Sequence, residues 1–182
     1  GVIVLNVNSV SFISEYLKTG MPLIKRTVTV DGSAVKNPSN VEVLIGTPLE
    51  DVFNFTGGFK SEPHKILMGG PMMGIAQFSM QAPVLKHTNA LLAFDESDAE
   101  IPTESQCIRC GRCVKACPMN LLPLFLNFNV LRENLDELQK YHITDCIECG
   151  SCSYVCPAKR HLVQSIRLGK AQLRQAAAKG GK

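Results

Sequence analysis

At 182 residues the chain is long enough for one large domain or two small ones, and an apolar share of 45 % supplies material for a core. A formal net charge of +3, with no tryptophan and no interleaving of aromatic with basic residues, gives no footing for nucleic-acid binding. No stretch reaches the roughly 18 consecutive apolar residues of a membrane-spanning helix, and all eight cysteines fall in two tight groups, which excludes an ordinary disulfide framework.

Gly1 leads into strand-like Val-Ile-Val-Leu, with no basic n-region or small-residue cleavage site. Residues 1–25 read as the end of an α/β unit whose upstream part lies outside this sequence. Val2–Val7 has the apolar run of a buried parallel strand. Asn8 is placed to cap a helix with Val10, Ile13 and Leu17 on one face, and Gly20 to end it.

Residues 26–95 read as an α+β module. Arg26–Val30 alternates with period two, and Asp31-Gly32 turns the chain toward Ala34-Val35-Lys36 as a hairpin. A strand is expected over Asn40–Ile45. Thr47-Pro48-Leu49-Glu50 then starts a helix, with Thr47 as cap and Pro48 at the first position, and Gly57-Gly58 stops it. Further strands are expected at Lys65–Met68 and Ala90–Phe94, giving one helix laid on a mixed sheet. Between those strands, Met68-Gly69-Gly70-Pro71-Met72-Met73-Gly74 is a loop permissive enough for a close backbone approach, and it is no nucleotide-binding Gly-x-Gly-x-x-Gly.

A charged linker, Asp95–Glu104, opens the remaining part, residues 96–182. Leu121–Tyr141 reads as a helix with Leu131, Leu135 and Leu138 at helical spacing, and His161–Ala178 as another with Leu162, Ile166 and Leu173 on one side. This last domain is therefore mainly α-helical, with two cysteine loops between helices. No acidic residue follows Glu148, whereas Lys159, Arg160, Arg167, Lys170, Arg174, Lys179 and Lys182 all do. Such a run fits either an acidic or lipid partner or a solvated helix face. His64, His87, His142 and His161 are scattered, and none has a catalytic arrangement around it.

The chemistry lies in the cysteines. Cys107-x2-Cys110-x2-Cys113-x3-Cys117-Pro118 recurs as Cys146-x2-Cys149-x2-Cys152-x3-Cys156-Pro157, with Ile108 matching Ile147 and Gly111 matching Gly150. Three cysteines three residues apart wrap three corners of an iron–sulfur cube, and the fourth of such a run ligates the other cluster. One [4Fe–4S] cluster is thereby assigned to Cys107, Cys110, Cys113 and Cys156. The second falls to Cys146, Cys149, Cys152 and Cys117. The competing assignment, a zinc-stabilised interaction module, calls for a tetrahedron built from two separated Cys-x2-Cys knuckles, and neither run has that form. Each cluster changes by one electron, so the expected function is an electron relay.

These parts together resemble the C subunit of the Rnf (Rsx) complex, a membrane machine coupling electron transfer between ferredoxin and NAD to ion movement. The resemblance is carried by Gly20-Met-Pro-Leu-Ile-Lys-Arg-Thr-Val-Thr-Val-Asp-Gly32, Gly46-Thr-Pro-Leu49, the Gly69–Gly74 loop and both cysteine runs. It implies that residues 26–95 are a β-grasp, soluble-ligand-binding module followed by a helical two-cluster ferredoxin domain. It also implies an upstream domain carrying FMN and NADH, so the present chain alone is not expected to oxidise NADH. Partners would be the other members of the complex, including one that carries iron–sulfur. The location would be peripheral, on the cytoplasmic face of the bacterial cell membrane. A cobalamin reductase of bacterial microcompartments is similar in domain order and is the alternative within redox proteins.

Overall fold

A computed structural model describes residues 1–180. Lys182, the last cation of the basic run, lies outside the described residues. The chain divides into two compact units, residues 1–99 and residues from Glu100 onward.

The first unit is a five-stranded mixed sheet with one helix against it. Strand β1 (Lys25–Asp31) runs antiparallel to β2 (Ser39–Leu44) and parallel to β5 (Ala90–Phe94). Strand β3 (Lys65–Met68) lies antiparallel to β5 on one side and to β4 (Ile75–Gln77) on the other. This is the β-grasp arrangement. The period-two pattern of β1 turns Val28 and Val30 into the core and leaves Thr27 and Thr29 outside. Those valines pack with Leu91 and Ala93 of β5 and with Leu49, Val52 and Phe53 of α2 (Leu49–Phe55).

Several expected elements are corrected. The hairpin partner of β1 is Ser39–Leu44, not Ala34–Lys36, because Ala34 and Val35 are fully buried and occupied elsewhere. Ala34 N–H donates to the Ala93 carbonyl, and Val35 forms an isolated bridge with Phe59. Thr47 does not cap α2; the cap position is Pro48, with no side-chain hydrogen bond. The helix's free N–H groups are met by chain backbone instead, Leu49 donating to Ala82 O and Glu50 to Met80 O at 3.0 Å each. The glycine-rich loop closes the β3–β4 hairpin, with Gly74 N–H donating to Gly70 O at 2.7 Å. Strand β4 itself is short and mostly exposed, which is why no alternation announced it.

At the N-terminus, residues 1–6 form no strand; Val2, Ile3 and Val4 are 85–91 % exposed. Helix α1 (Val7–Thr19) is capped by Asn6, whose side chain accepts from Asn8 N–H, rather than by Asn8. Gly20 ends it in the left-handed region as expected. No residue of α1 is fully buried; Phe12 is half-buried, on the side that faces residues 21–27.

In the second unit, the expected Leu121–Tyr141 helix is two helices, α5 (Pro123–Leu131) and α6 (Leu135–Lys140). The break comes where Glu133 takes φ +53° and Asn134 caps α6 by accepting from Glu137 N–H. The final helix, α8 (Leu162–Gly180), packs against α5 and α6 around Leu126, Val130, Leu138, Ile143 and Ile166. At the end of the first unit a one-turn helix, α3 (Glu96–Ala99), stands in the expected linker, with the Asp95 side chain accepting from Ser97 and Asp98. No helix of the described residues is long and apolar enough to cross a membrane.

Candidate metal centre

Each cysteine run folds the same way. A loop carries the first two cysteines, glycine turns the chain in the left-handed region, and a four-residue helix carries the third. In the first run Gly111 has φ +74° and precedes α4 (Arg112–Lys115); in the second Gly150 has φ +85° and precedes α7 (Ser151–Tyr154). A side chain at either place would be strained. Arg109 and Glu148, which precede the second cysteine of each run, are also left-handed, at φ +55° and +56°.

The fourth cysteine of each run is delivered to the other run. Glu104, just ahead of Cys107, accepts from His161 N–H at 2.6 Å and pairs with Arg160 at 3.5 Å. Ser105 N–H donates to Ala158 O at 3.0 Å. These contacts tie the entry of the first run to the exit of the second and bring Cys156 beside Cys107. A cavity of about 740 Å³ is lined there by Cys107, Cys110, Cys113 and Cys156. A second, narrower cavity is lined by Cys146, Cys149, Cys152 and Cys117. Cys117 and Cys146 reach it by packing on the same apolar core of α5, α6 and α8. Cys113 packs against the small cluster of Cys152, Leu162 and Val163, whose residues line both cavities, so the two adjoin.

The thiols ask for a cation. Burial pushes Cys113 and Cys146 above the ordinary thiol value and Cys152 up to about 11. Cys149 is held low by the Ser151 hydroxyl, 3.4 Å from its sulfur. Backbone N–H groups of Leu121 and Glu148 donate to Cys117 Sγ and Cys146 Sγ at 3.4 Å. Buried thiols that resist losing a proton, yet are already hydrogen-bonded by amides, suit a positively charged iron centre that binds thiolate. No three Cys, His, Asp or Glu side chains among the described residues converge closely enough to share a single ion. The cysteines border two cavities.

The surroundings differ between the two cavities. Cys107 and Cys110 are exposed, whereas Cys152 is 7 % exposed. Around the second cavity, Glu148 accepts from Arg167 Nε at 2.8 Å and from Lys170 Nζ at 2.9 Å. Burial raises the Glu148 carboxyl, but Lys170 and Arg167 outweigh it and hold the group below its ordinary value. The basic run is thus no uniform solvated face: Arg160, Arg167 and Lys170 turn inward, and Lys159, Arg174 and Lys179 stay exposed. His142 is an exposed residue whose ring lies 3.9 Å from Asp145.

Comparison with known proteins gives the class first. Residues 27–76 match the SLBB domain and residues 106–160 the 4Fe-4S dicluster domain, which makes the chain an iron–sulfur electron-transfer protein of α+β fold. The chain is a homologue of the C subunits of the ion-translocating ferredoxin:NAD oxidoreductase (Rnf) complexes. It is 48 % identical over 173 residues to the C subunit of the Na(+)-translocating ferredoxin:NAD(+) oxidoreductase complex of Acetobacterium woodii, covering 95 % of this chain and 39 % of that protein. Over 177 residues it is 48 % identical to the C subunit of the proton-translocating complex of Clostridium ljungdahlii, covering 97 % of this chain and 39 % of that one. The C subunit of the ion-translocating oxidoreductase complex of Rhodobacter capsulatus is 44 % identical over 173 residues, with 95 % and 33 % covered. The chain therefore spans about two-fifths or less of the length of these relatives.

Proposed function

We propose that this chain is a one-electron relay with two [4Fe–4S] clusters held crosswise, one on Cys107, Cys110, Cys113 and Cys156 and one on Cys146, Cys149, Cys152 and Cys117. The observation that carries the reading is that each cavity is bordered by three cysteines of one run and the fourth of the other. Bound iron–sulfur supplies reversible one-electron chemistry. The residues supply the rest: thiolates at fixed corners, amide donors on two sulfurs, and the packing of Cys113 on the Cys152, Leu162 and Val163 cluster that keeps the two sites adjacent.

The relatives' names support a place in a complex that couples ferredoxin and NAD to ion translocation. In that setting the whole protein would work through further subunits, an iron–sulfur one among them, peripherally on the cytoplasmic face of the membrane. FMN and NADH would belong to sequence upstream of this chain, and no residue here is assigned to either. Residues 1–25, 26–95 and 96–182 would then be the end of that upstream domain, the SLBB module and the relay domain.

The crosswise ligands are tested by Cys117→Ser in the holoprotein. The reading expects loss or conversion of the cluster held by Cys146, Cys149 and Cys152, seen by EPR, with the other kept. Damage confined to the cluster of Cys107, Cys110 and Cys113 overturns it.

A further inference from the structure

The two cysteine runs share spacing and backbone, but in the second a lysine donates directly to the backbone of a cysteine, whereas Arg160, the half-buried cation lining the first cavity, is bound to Asn127 and Glu104. Lys170 comes down from α8 and donates to the Cys146 carbonyl oxygen at 2.6 Å and to Glu148 Oε1 at 2.9 Å. Its side chain is 13 % exposed, so water screens it little. Arg167, one turn earlier, takes the other oxygen of Glu148 at 2.8 Å, so the carboxylate is shared and does not neutralise Lys170 alone. A positive charge is thereby held directly on the loop that carries Cys146 and Cys149. In the first run the position of Glu148 is held by Arg109, which is exposed and open to screening by water and salt, and the half-buried Arg160 of that cavity has its charge met by Glu104.

A fixed positive charge favours whichever redox state carries more negative charge, and it does so more strongly where the local dielectric is low. Adding one electron to an iron–sulfur centre increases its negative charge, with no bond broken and no proton needed. The electron would come from another one-electron carrier, such as the adjoining cluster.

We propose that Lys170 is a positioning residue of the second site, clamping the Cys146 loop through its carbonyl and raising the reduction potential of the centre held there. This rests on the two-cluster reading above. It makes the pair of sites unequal in a way their identical spacing hides, with Glu148 as the countercharge that limits the effect.

The test is an EPR-monitored anaerobic redox titration of the iron-loaded chain and its variants, with iron and sulfide measured in each. Lys170→Gln, which is polar but carries no charge, is expected to lower the potential of one centre, the one that Cys117→Ser alters. Lys170→Arg is expected to restore it. Arg174→Met, one turn further along α8 and exposed, is expected to move neither potential. Glu148→Gln leaves both cations and removes the countercharge, so it is expected to raise the same potential; this keeps the inference testable if Lys170→Gln fails to retain its cluster. Full clusters with unmoved potentials in Lys170→Gln, equal shifts of both centres, or no rise in Glu148→Gln would overturn it. A chain that holds no iron–sulfur, or a Cys117→Ser that damages the first site, overturns the two-cluster reading instead.

Discussion

Gly169 on α8 faces Val130 on α5 so closely that a Cβ added to it would lie 2.5 Å from Val130 Cγ2. The same Cβ would meet Ile143 Cδ1 at 2.7 Å. Both neighbours are buried, at 1 % and 0 % exposure, and have nowhere to move. On an exposed helix, replacing glycine by alanine gains about 1 kcal/mol. Here overpacking, at about 1–3 kcal/mol, reverses the sign. Gly169→Ala is therefore expected to destabilise the second unit, and a fall in the thermal unfolding midpoint of the holoprotein checks it.

A different glycine carries the first unit. Gly32 has φ +120°, and a Cβ there would lie 2.1 Å from the Ala93 carbonyl oxygen of β5. That neighbour is backbone in the sheet and cannot yield without separating strands. Gly32→Ala is expected to cost about 2–4 kcal/mol, strain and clash together. Gly46→Ala, at φ +101° but in open space, is expected to cost only the strain, about 1–3 kcal/mol. Comparing the two unfolding midpoints separates the contributions.

Removing iron is expected to act on one unit alone. Cys117 and Cys146 pack on the core of α5, α6 and α8, so losing the centre between them loosens that core. The sheet and α2 carry their own core and hold no cysteine. Anaerobic chelation should therefore raise hydrogen exchange in Arg112–Lys115, Ser151–Tyr154 and the first turns of α8, while β1, β3 and β5 keep their protection. Uniform loss of protection through both units would contradict this.

Truncating Leu126, fully buried at the centre of the helical core, should cost about 2–5 kcal/mol as Leu126→Ala. Iron retention after a desalting step gives the readout, since the same core seats Cys117 and Cys146.

Much of this was legible from residue order, and the exceptions have physical reasons. Strand β3 matched its expected bounds, and β1 and α8 came close, because period and end signals agreed there. The eight cysteines declared their chemistry, since no other pattern repeats so tightly. The α5–α6 break was hidden because Leu131, Leu135 and Leu138 keep helical spacing across it. Asn134 followed three residues later by Glu137 was the capping signal that betrays it. Thr47 looked like a cap, but backbone carbonyls from residues 80 and 82 took the N–H groups first, a long-range contact no local motif reports. The Lys170–Glu148 pair spans 22 residues. It depends on how α8 lies on the second loop, and the sequence showed only that cations gather after Glu148.

The most direct measurement is iron and acid-labile sulfide per chain in anaerobically prepared protein, with EPR of the dithionite-reduced sample. The account expects about eight of each and two S = 1/2 signals broadened by mutual interaction, as two adjoining four-iron clusters require. Stoichiometric zinc without sulfide, in protein made by cells able to assemble clusters, would contradict it and leave a structural metal module.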